Sequence, residues 1–124
     1  DHEMRTLPEK ISEEVIDGRT VCRDEAGYLM EPEHWSRKVA EKFADEEGIS
    51  LGEEHWAVFT FMRDYLEAHN VAADARFVFK YLGDRHSQSA KEGRQRFFEL
   101  FPYGYTKQAC KIAGMRQPRA WSTG

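Results

Sequence analysis

The amino-acid sequence predicts a mainly α fold, a small helical bundle preceded by a β-hairpin. From residue 32 onward, apolar residues recur every three or four positions in segments separated by glycine, proline or asparagine. Ahead of these segments, the dipeptide Asp17-Gly18 separates two short runs of β-prone residues. The chain has 124 residues, 40% of them apolar, which suffices for one modest core, so a single domain is expected.

The hairpin is the first predicted element. Residues 1–12 are polar, contain Pro8 and form an N-terminal lead without a predicted element. Both positions of a two-residue hairpin turn need a positive φ, which Asp17 and Gly18 tolerate, so a strand is placed on each side of them. The helical domain is expected to cover residues 13–114.

Two helices should follow the hairpin. The first is predicted over residues 32–48, from a proline that suits a helix start to a glycine that suits its end. Its apolar residues recur every four positions, at Trp35, Val39 and Phe43. The second is predicted over residues 52–70 and is apolar over so much of its surface that a central place is expected. Its apolar residues are Trp56, Val58, Phe59, Phe61, Met62, Tyr65 and Leu66.

Three shorter helices complete the predicted bundle, over residues 74–82, 87–100 and 105–113, the last closed by Gly114. Asp74 is a candidate cap for the first of them. In the helix predicted over residues 74–82, the side chains expected to face inward are Phe77, Val78, Tyr81 and Leu82. Residues 115–124 contain little that could form a core, so they are predicted to be a C-terminal arm.

Charge is distributed unevenly along the chain. Residues 1–67 carry 18 acids and 8 bases, and residues 68–124 carry 4 acids and 10 bases, so a balance of -10 precedes one of +6 and the net charge is -4. No acid follows Glu99. The basic half could face an anionic partner, or the two halves could neutralise each other within the fold.

Cys110 is the candidate reactive residue. It lies between Lys107 and Lys111 in a stretch without acids, and nearby cations lower the pKa of a thiol and make it nucleophilic. Alternatively, Cys110 packs as a small apolar residue. Cys22, in the second strand, is expected to be structural.

A candidate anion site is formed by Arg76 and Lys80, which lie four residues apart on one helix face. Two like charges so close together repel each other unless an anion or a carboxylate joins them. The alternative is an ordinary solvated face.

Several function classes are disfavoured. The sequence has no phosphate-binding glycine loop, nucleophile elbow or paired catalytic carboxylates, so a carrier or binding protein is expected rather than an ordinary hydrolase or nucleotide enzyme. Neither histidines nor cysteines have metal-ligand spacing, so no metal and no cofactor are expected. No apolar run approaches the roughly 20 residues that cross a bilayer, and no signal peptide is evident, so no membrane partner and a cytoplasmic location are expected.

Several segments together resemble the DsrC/TusE/DsvC family of sulfur-relay proteins. They are Val15-Ile16-Asp17-Gly18, Asp24-Glu25-Ala26-Gly27-Tyr28-Leu29, Glu53-Glu54-His55-Trp56, Arg76 with Lys80, Leu100-Phe101-Pro102-Tyr103-Gly104, and Lys107-Gln108-Ala109-Cys110-Lys111-Ile112-Ala113-Gly114. The resemblance implies an orthogonal helical bundle with an N-terminal hairpin and a flexible C-terminal arm. It also implies sulfur trafficking with sulfite reductase or sulfurtransferase partners, through a cysteine next to the end of the arm.

The chain departs from the family pattern where the carrier chemistry resides. Cys110 matches the earlier arm cysteine of the family, but Trp121 stands at the position of the penultimate cysteine. Tyr105 stands where the family usually has proline. Because an indole can form neither a persulfide nor a disulfide, the two-cysteine cycle is unavailable to this chain.

Three functional hypotheses follow. The chain could be a divergent accessory or regulatory paralog that binds a sulfur-pathway partner. The candidate partner- or anion-binding residues are Arg76, Lys80, Lys107 and Lys111, and the arm contributes Arg116, Arg119 and Trp121. The chain could be a sulfurtransferase-type carrier in which Cys110 alone accepts sulfur, with Arg76 and Lys80 stabilising the persulfide. It could also be a helix-turn-helix-like nucleic-acid-binding regulator. Its phosphate contacts would then be Arg76, Lys80, Arg85, Lys91, Arg94 and Arg96.

Overall fold

The N-terminal hairpin is present in the computed structural model, which describes residues 11–117. Strand β1 (Ser12–Ile16) pairs antiparallel with β2 (Arg19–Arg23), with Ser12 opposite Arg23 and Ile16 opposite Arg19. The turn residues Asp17 and Gly18 have φ of 54° and 79°, as a two-residue hairpin turn requires. The predicted hairpin is therefore confirmed.

The rest of the described chain is mainly helical, as predicted. A 3-10 turn (Pro32–His34) precedes helices α1 (Arg37–Glu46), α2 (Glu53–His69), α3 (Ala75–Arg85) and α4 (Ala90–Leu100). The last helix, α5, begins as a π-helix over Tyr105–Cys110 and ends at Ile112. Residues 1–10 and 118–124 lie outside the described part, so the predicted lead, most of the predicted arm and the proposed domain limits stay predictions.

Helix α1 begins later than predicted. Pro32 opens the separate 3-10 turn, which the Trp35 N–H closes by donating to the Pro32 carbonyl over 3.1 Å. Ser36 then caps α1, accepting from the Val39 N–H at 3.3 Å. A serine hydroxyl satisfies one of the free N–H groups at a helix start, which gives Ser36 the advantage over the earlier proline as the helix boundary.

The core lies on the inner face of α2, as expected for a central helix. Val58, Phe59 and Met62 are fully buried, and rings from the other elements pack around them, including Phe43, Phe97, Phe101 and Tyr105. Phe77, in contrast, is 43% exposed, so the prediction that it faces inward is wrong. The centre of its ring lies 5.7 Å from the centre of the Tyr65 ring, in a half-exposed aromatic strip on α2 and α3 rather than in the core.

Helices α3 and α4 approach each other at two glycines. A Cβ at Gly93 would lie 1.9 Å from the Phe79 carbonyl oxygen, and one at Gly83 would lie 2.3 Å from the Ser89 carbonyl oxygen. Only glycine fits at such a backbone contact. Within residues 11–117, no helix is long and apolar enough to cross a membrane.

Candidate functional site around Cys110

The C-terminal helix places Cys110 by a defined helix ending. Gly114, with φ of 79°, ends α5 in a Schellman motif. In this motif the Met115 N–H donates to the Cys110 carbonyl over 2.9 Å, and the Gly114 N–H donates to the Lys111 carbonyl over 3.2 Å. The backbone of Cys110 is thereby tied into the end of the helix.

Two side chains from the body hold the last carbonyls of α5. The Trp35 indole N–H donates to the Ile112 carbonyl at 2.8 Å. The Arg63 guanidinium donates to the Ala113 carbonyl at 2.7 Å and lies over the Trp35 ring. A Cβ on Gly114 would come within 2.3 Å of that ring. The base of the predicted arm is therefore packed against α2 and the segment before α1.

The Cys110 side chain is fully buried in the core. Burial disfavours a thiolate and raises the pKa of Cys110 to about 12, although a hydrogen bond to the Tyr105 side chain acts in the opposite direction. The expectation of a lowered pKa is wrong, because burial is the largest influence on this thiol and acts to raise its pKa. The structure thus gives Cys110 the packed environment that the alternative interpretation described.

Tyr105 covers this thiol and was not among the predicted site residues. Its ring is fully buried, and its hydroxyl donates to the Ala73 carbonyl in the connection between α2 and α3. The signal in the sequence that could have identified Tyr105 as a site residue is its departure from the usual family proline. A buried tyrosine hydroxyl needs a polar partner, so its neighbours must be arranged to supply one. Tyr105 and Cys110 are the two ends of the π-helical stretch, a rare geometry that often marks functional sites.

A surface pocket of about 530 Å³ opens beside α5. Lys107 and Lys111 both line it, so the structure brings these two predicted residues together. Lys111 pairs with Glu47 at 3.4 Å, whereas Lys107 is exposed and has no carboxylate partner among residues 11–117. Among residues 11–117, the pocket is lined by Ala26, Tyr28, Glu47, Tyr103, Lys107, Lys111 and Gln117.

Arg76 and Lys80 each have a carboxylate partner near them on α3. The Arg76 Nε lies 3.2 Å from Asp74 Oδ1, and the Lys80 Nζ lies 3.0 Å from Asp84 Oδ2. Both basic side chains are largely exposed. Their charges are therefore balanced locally, which fits the solvated face that was the alternative to an anion site.

Glu54, at the start of α2, neutralises part of the basic half. Its carboxylate contacts Arg85 at 3.5 Å, Arg96 at 3.2 Å and also His86. Although burial acts to raise the pKa of Glu54, these neighbours outweigh it and hold the pKa below its usual value. Two of the cations proposed to contact phosphates are thus engaged within the fold, and the two halves of the chain partly neutralise each other.

The remaining predicted residues lie toward the C-terminus. Arg116 is exposed and has no ion-pair partner within the described chain, whereas Arg119 and Trp121 lie outside the described residues. In residues 11–117, no group of three or more His, Cys, Asp or Glu side chains could hold a metal ion.

Comparison with known proteins places these features in a family. The family model described as "DsrC like protein" matches residues 15–120. The chain is 38% identical over 104 residues to the sulfurtransferase TusE of Pectobacterium atrosepticum, covering 83% of this chain and 94% of that protein. It is 37% identical over 105 residues to TusE of Escherichia coli K12, covering 84% and 94%. Members of the DsrC/TusE family work with sulfur-pathway proteins, and none of these similarities supports a nucleic-acid partner.

Solved structures agree with this assignment. The oxidised γ-subunit of dissimilatory sulfite reductase from Archaeoglobus fulgidus superimposes with a TM-score of 0.74 at 33% identity, over 90% of this chain and all of that one. DsrC of Allochromatium vinosum superimposes with a TM-score of 0.76 at 32% identity, over 91% of this chain and all of that one. The sequence matches, the hairpin and the helical fold together show that this chain belongs to the DsrC/TusE family of sulfur-relay proteins.

Proposed function

We propose that this chain is an accessory or regulatory member of the sulfur-relay family, which binds a sulfur-pathway partner without carrying sulfur itself. The observation that supports the proposal most is the complete burial of Cys110. By the family resemblance, Trp121 stands where the carrier cysteine is expected. Cys110 is then the arm thiol that is left for sulfur transfer, and it is enclosed.

The chemistry of persulfide transfer explains why burial matters. Sulfur moves when a thiolate attacks a donor sulfur, so the acceptor must be both ionised and reachable. Burial raises the pKa of Cys110 to about 12, so only a very small fraction of this thiol is ionised at neutral pH. Even that fraction lies inside the core, where no donor protein can approach it. The fold therefore opposes both requirements at once.

A mass measurement tests the absence of carrier activity. The folded protein is incubated with inorganic polysulfide as the persulfide donor, and intact mass is recorded for the parent, Cys22→Ser and Cys110→Ser. We expect that any added sulfur depends on Cys22, which is partly exposed, and that Cys22→Ser gains none. Polysulfide treatment of denatured Cys22→Ser serves as the positive control. A mass gain in folded Cys22→Ser would overturn the proposal and favour a carrier that acts through Cys110 alone.

Partner binding is tested directly. Two purified candidates represent the two partner classes that the family resemblance implies, a dissimilatory sulfite reductase and a sulfurtransferase. We expect the chain to bind at least one of them, with unchanged affinity for Cys110→Ser because the thiol takes no part. Failure to bind either candidate, or a loss of binding in Cys110→Ser with its fold retained, would contradict an accessory role.

A further inference from the structure

We propose that the pocket beside α5 binds an acidic peptide segment of a partner protein, with carboxylates at Lys107 and Lys111 and an apolar side chain against Tyr28 and Tyr103. This inference rests on the proposed function, because it gives the chemistry of the partner that an accessory protein would recognise. It also assigns a use to the positive charge of Lys107, which has no carboxylate partner among residues 11–117.

The charge distribution around the pocket favours an anionic occupant. Lys107 lacks a carboxylate partner within residues 11–117, and so does the exposed Arg116. Glu47 is the acidic residue of the lining and is already engaged, since it contacts Lys111 and accepts from the Gln108 side chain at 3.2 Å. The chain has no acid after Glu99, so its own C-terminal residues contribute no acidic side chain to the pocket.

The size and the walls of the pocket favour a peptide over a small oxyanion. Its volume of about 530 Å³ is many times the ≈30 Å³ that one water molecule occupies in the liquid, so a single small anion would fill little of it. Tyr28 and Tyr103 supply aromatic surface, and Tyr103 is 72% exposed, which is high for a large ring. Exposed aromatic surface beside positive charge is typical of a protein interaction site.

The backbone around the pocket is well fixed. The Tyr28 hydroxyl donates to the Thr106 carbonyl at 2.9 Å, which ties one wall to α5. The Tyr103 N–H donates to Gln108 Oε1 at 2.9 Å, and the Nε2 of the same Gln108 side chain donates to Glu47. Because these hydrogen bonds within the chain already fix the walls, ordering of the site should cost an incoming segment little.

Two substitutions should move the affinity in opposite directions. Lys107→Gln removes an unpaired cation and should weaken binding of an acidic peptide about two- to fivefold, the range of exposed ion pairs. Glu47→Gln removes the carboxylate that competes for Lys111 and should strengthen binding by a similar factor. Lys91→Gln is the matched control, since Lys91 is an exposed lysine of α4 that does not line the pocket. Its affinity should equal that of the parent.

The experiment is a titration of the ¹⁵N-labelled 124-residue chain, followed by amide chemical shifts. The probes are acetyl-Gly-Glu-Leu-Glu-Gly-amide, the same peptide with glutamine in place of glutamate, and sodium sulfate. We expect the acidic peptide to shift amides within residues 103–111, the glutamine peptide to bind more weakly, and added salt to weaken the acidic peptide. The three variants should follow the order given above.

Several results would overturn this inference. The two peptides could bind equally, no amide in residues 103–111 could shift, or Lys107→Gln could leave the affinity unchanged. Amide shifts caused by sulfate that the acidic peptide does not compete away would instead assign a small-anion site. If Trp121→Ala alone shifts these amides, the chain's own arm occupies the pocket. Any of these outcomes leaves the proposed accessory function standing if the mass measurement and partner binding succeed. Failure of those two measurements would instead remove the proposed function.

Discussion

Replacement of Tyr105 by phenylalanine removes one hydroxyl and keeps the buried ring. The hydroxyl donates to the Ala73 carbonyl and hydrogen-bonds Cys110, and Ala73 is only 1% exposed. A buried carbonyl that loses its donor costs about 1–3 kcal/mol of folding free energy. For a domain of this size, each kcal/mol lowers Tm by about 4 °C. Tyr103→Phe is the control, because its exposed hydroxyl should contribute almost nothing.

The same substitution should make Cys110 more reactive. The thiol can meet an alkylating reagent only after the structure opens, so its rate follows the population of the open state. A destabilisation of 1–3 kcal/mol raises that population about 5- to 150-fold. The assay compares denaturant unfolding with iodoacetamide labelling, both in a Cys22→Ser background that leaves Cys110 as the single thiol.

Two results would refute this reasoning. One is alkylation of Cys110 in the folded parent at the rate of an unprotected thiol, which would show that burial does not protect it. The other is Tyr105→Phe with the stability and labelling rate of Tyr103→Phe, which would show that the hydroxyl holds nothing in place. A labelling rate that rises by more than the measured loss of unfolding free energy predicts would instead show that the opening is local, within the α5 region.

Three further predictions concern the helix ending, the acid limb and the arm. An alanine at positive φ costs roughly 1–2 kcal/mol of folding free energy. Gly114→Ala should cost well over that amount, because its Cβ would also clash with the Trp35 indole. Gly48→Ala, with φ of 73° and open space around its Cβ, is the control and should cost only that amount in denaturant unfolding. Glu54 has a lowered pKa in the folded state, so its stabilisation is present above the ordinary value of 4.5 and is lost as pH falls below it; Glu54→Gln should flatten stability against pH in that range. Trp121→Cys should form no disulfide with buried Cys110 under mild oxidation, as intact mass before and after reduction would show.

The sequence was most informative where local chemistry decides the structure. Asp17-Gly18 predicted the hairpin because few other residues accept two consecutive positive φ values. Asp74 was expected to cap its helix, and it does so by accepting from the Arg76 N–H at 2.9 Å. Such features depend on neighbours along the chain, and these are visible in the sequence.

Predictions that depend on distant parts of the fold fared less well. Sequence left two interpretations of Cys110 open, since Lys107 and Lys111 are visible as neighbours along the chain, whereas the burial that decides between them depends on the tertiary fold. The importance of Gly83 and Gly93 was not apparent, since an isolated glycine in a helix gives no indication of a second backbone behind it. Helical periodicity placed Phe77 inward, but periodicity alone cannot show how much of a face a neighbouring helix covers.

Trp35 and Arg63 hold the end of α5 from outside that helix, by donating hydrogen bonds to its last carbonyl groups. Tight core packing extends to Met115, which is 2% exposed, and the two anchors act on carbonyls just before it. The contacts that hold α5 to the body therefore lie within the described residues, ahead of Trp121.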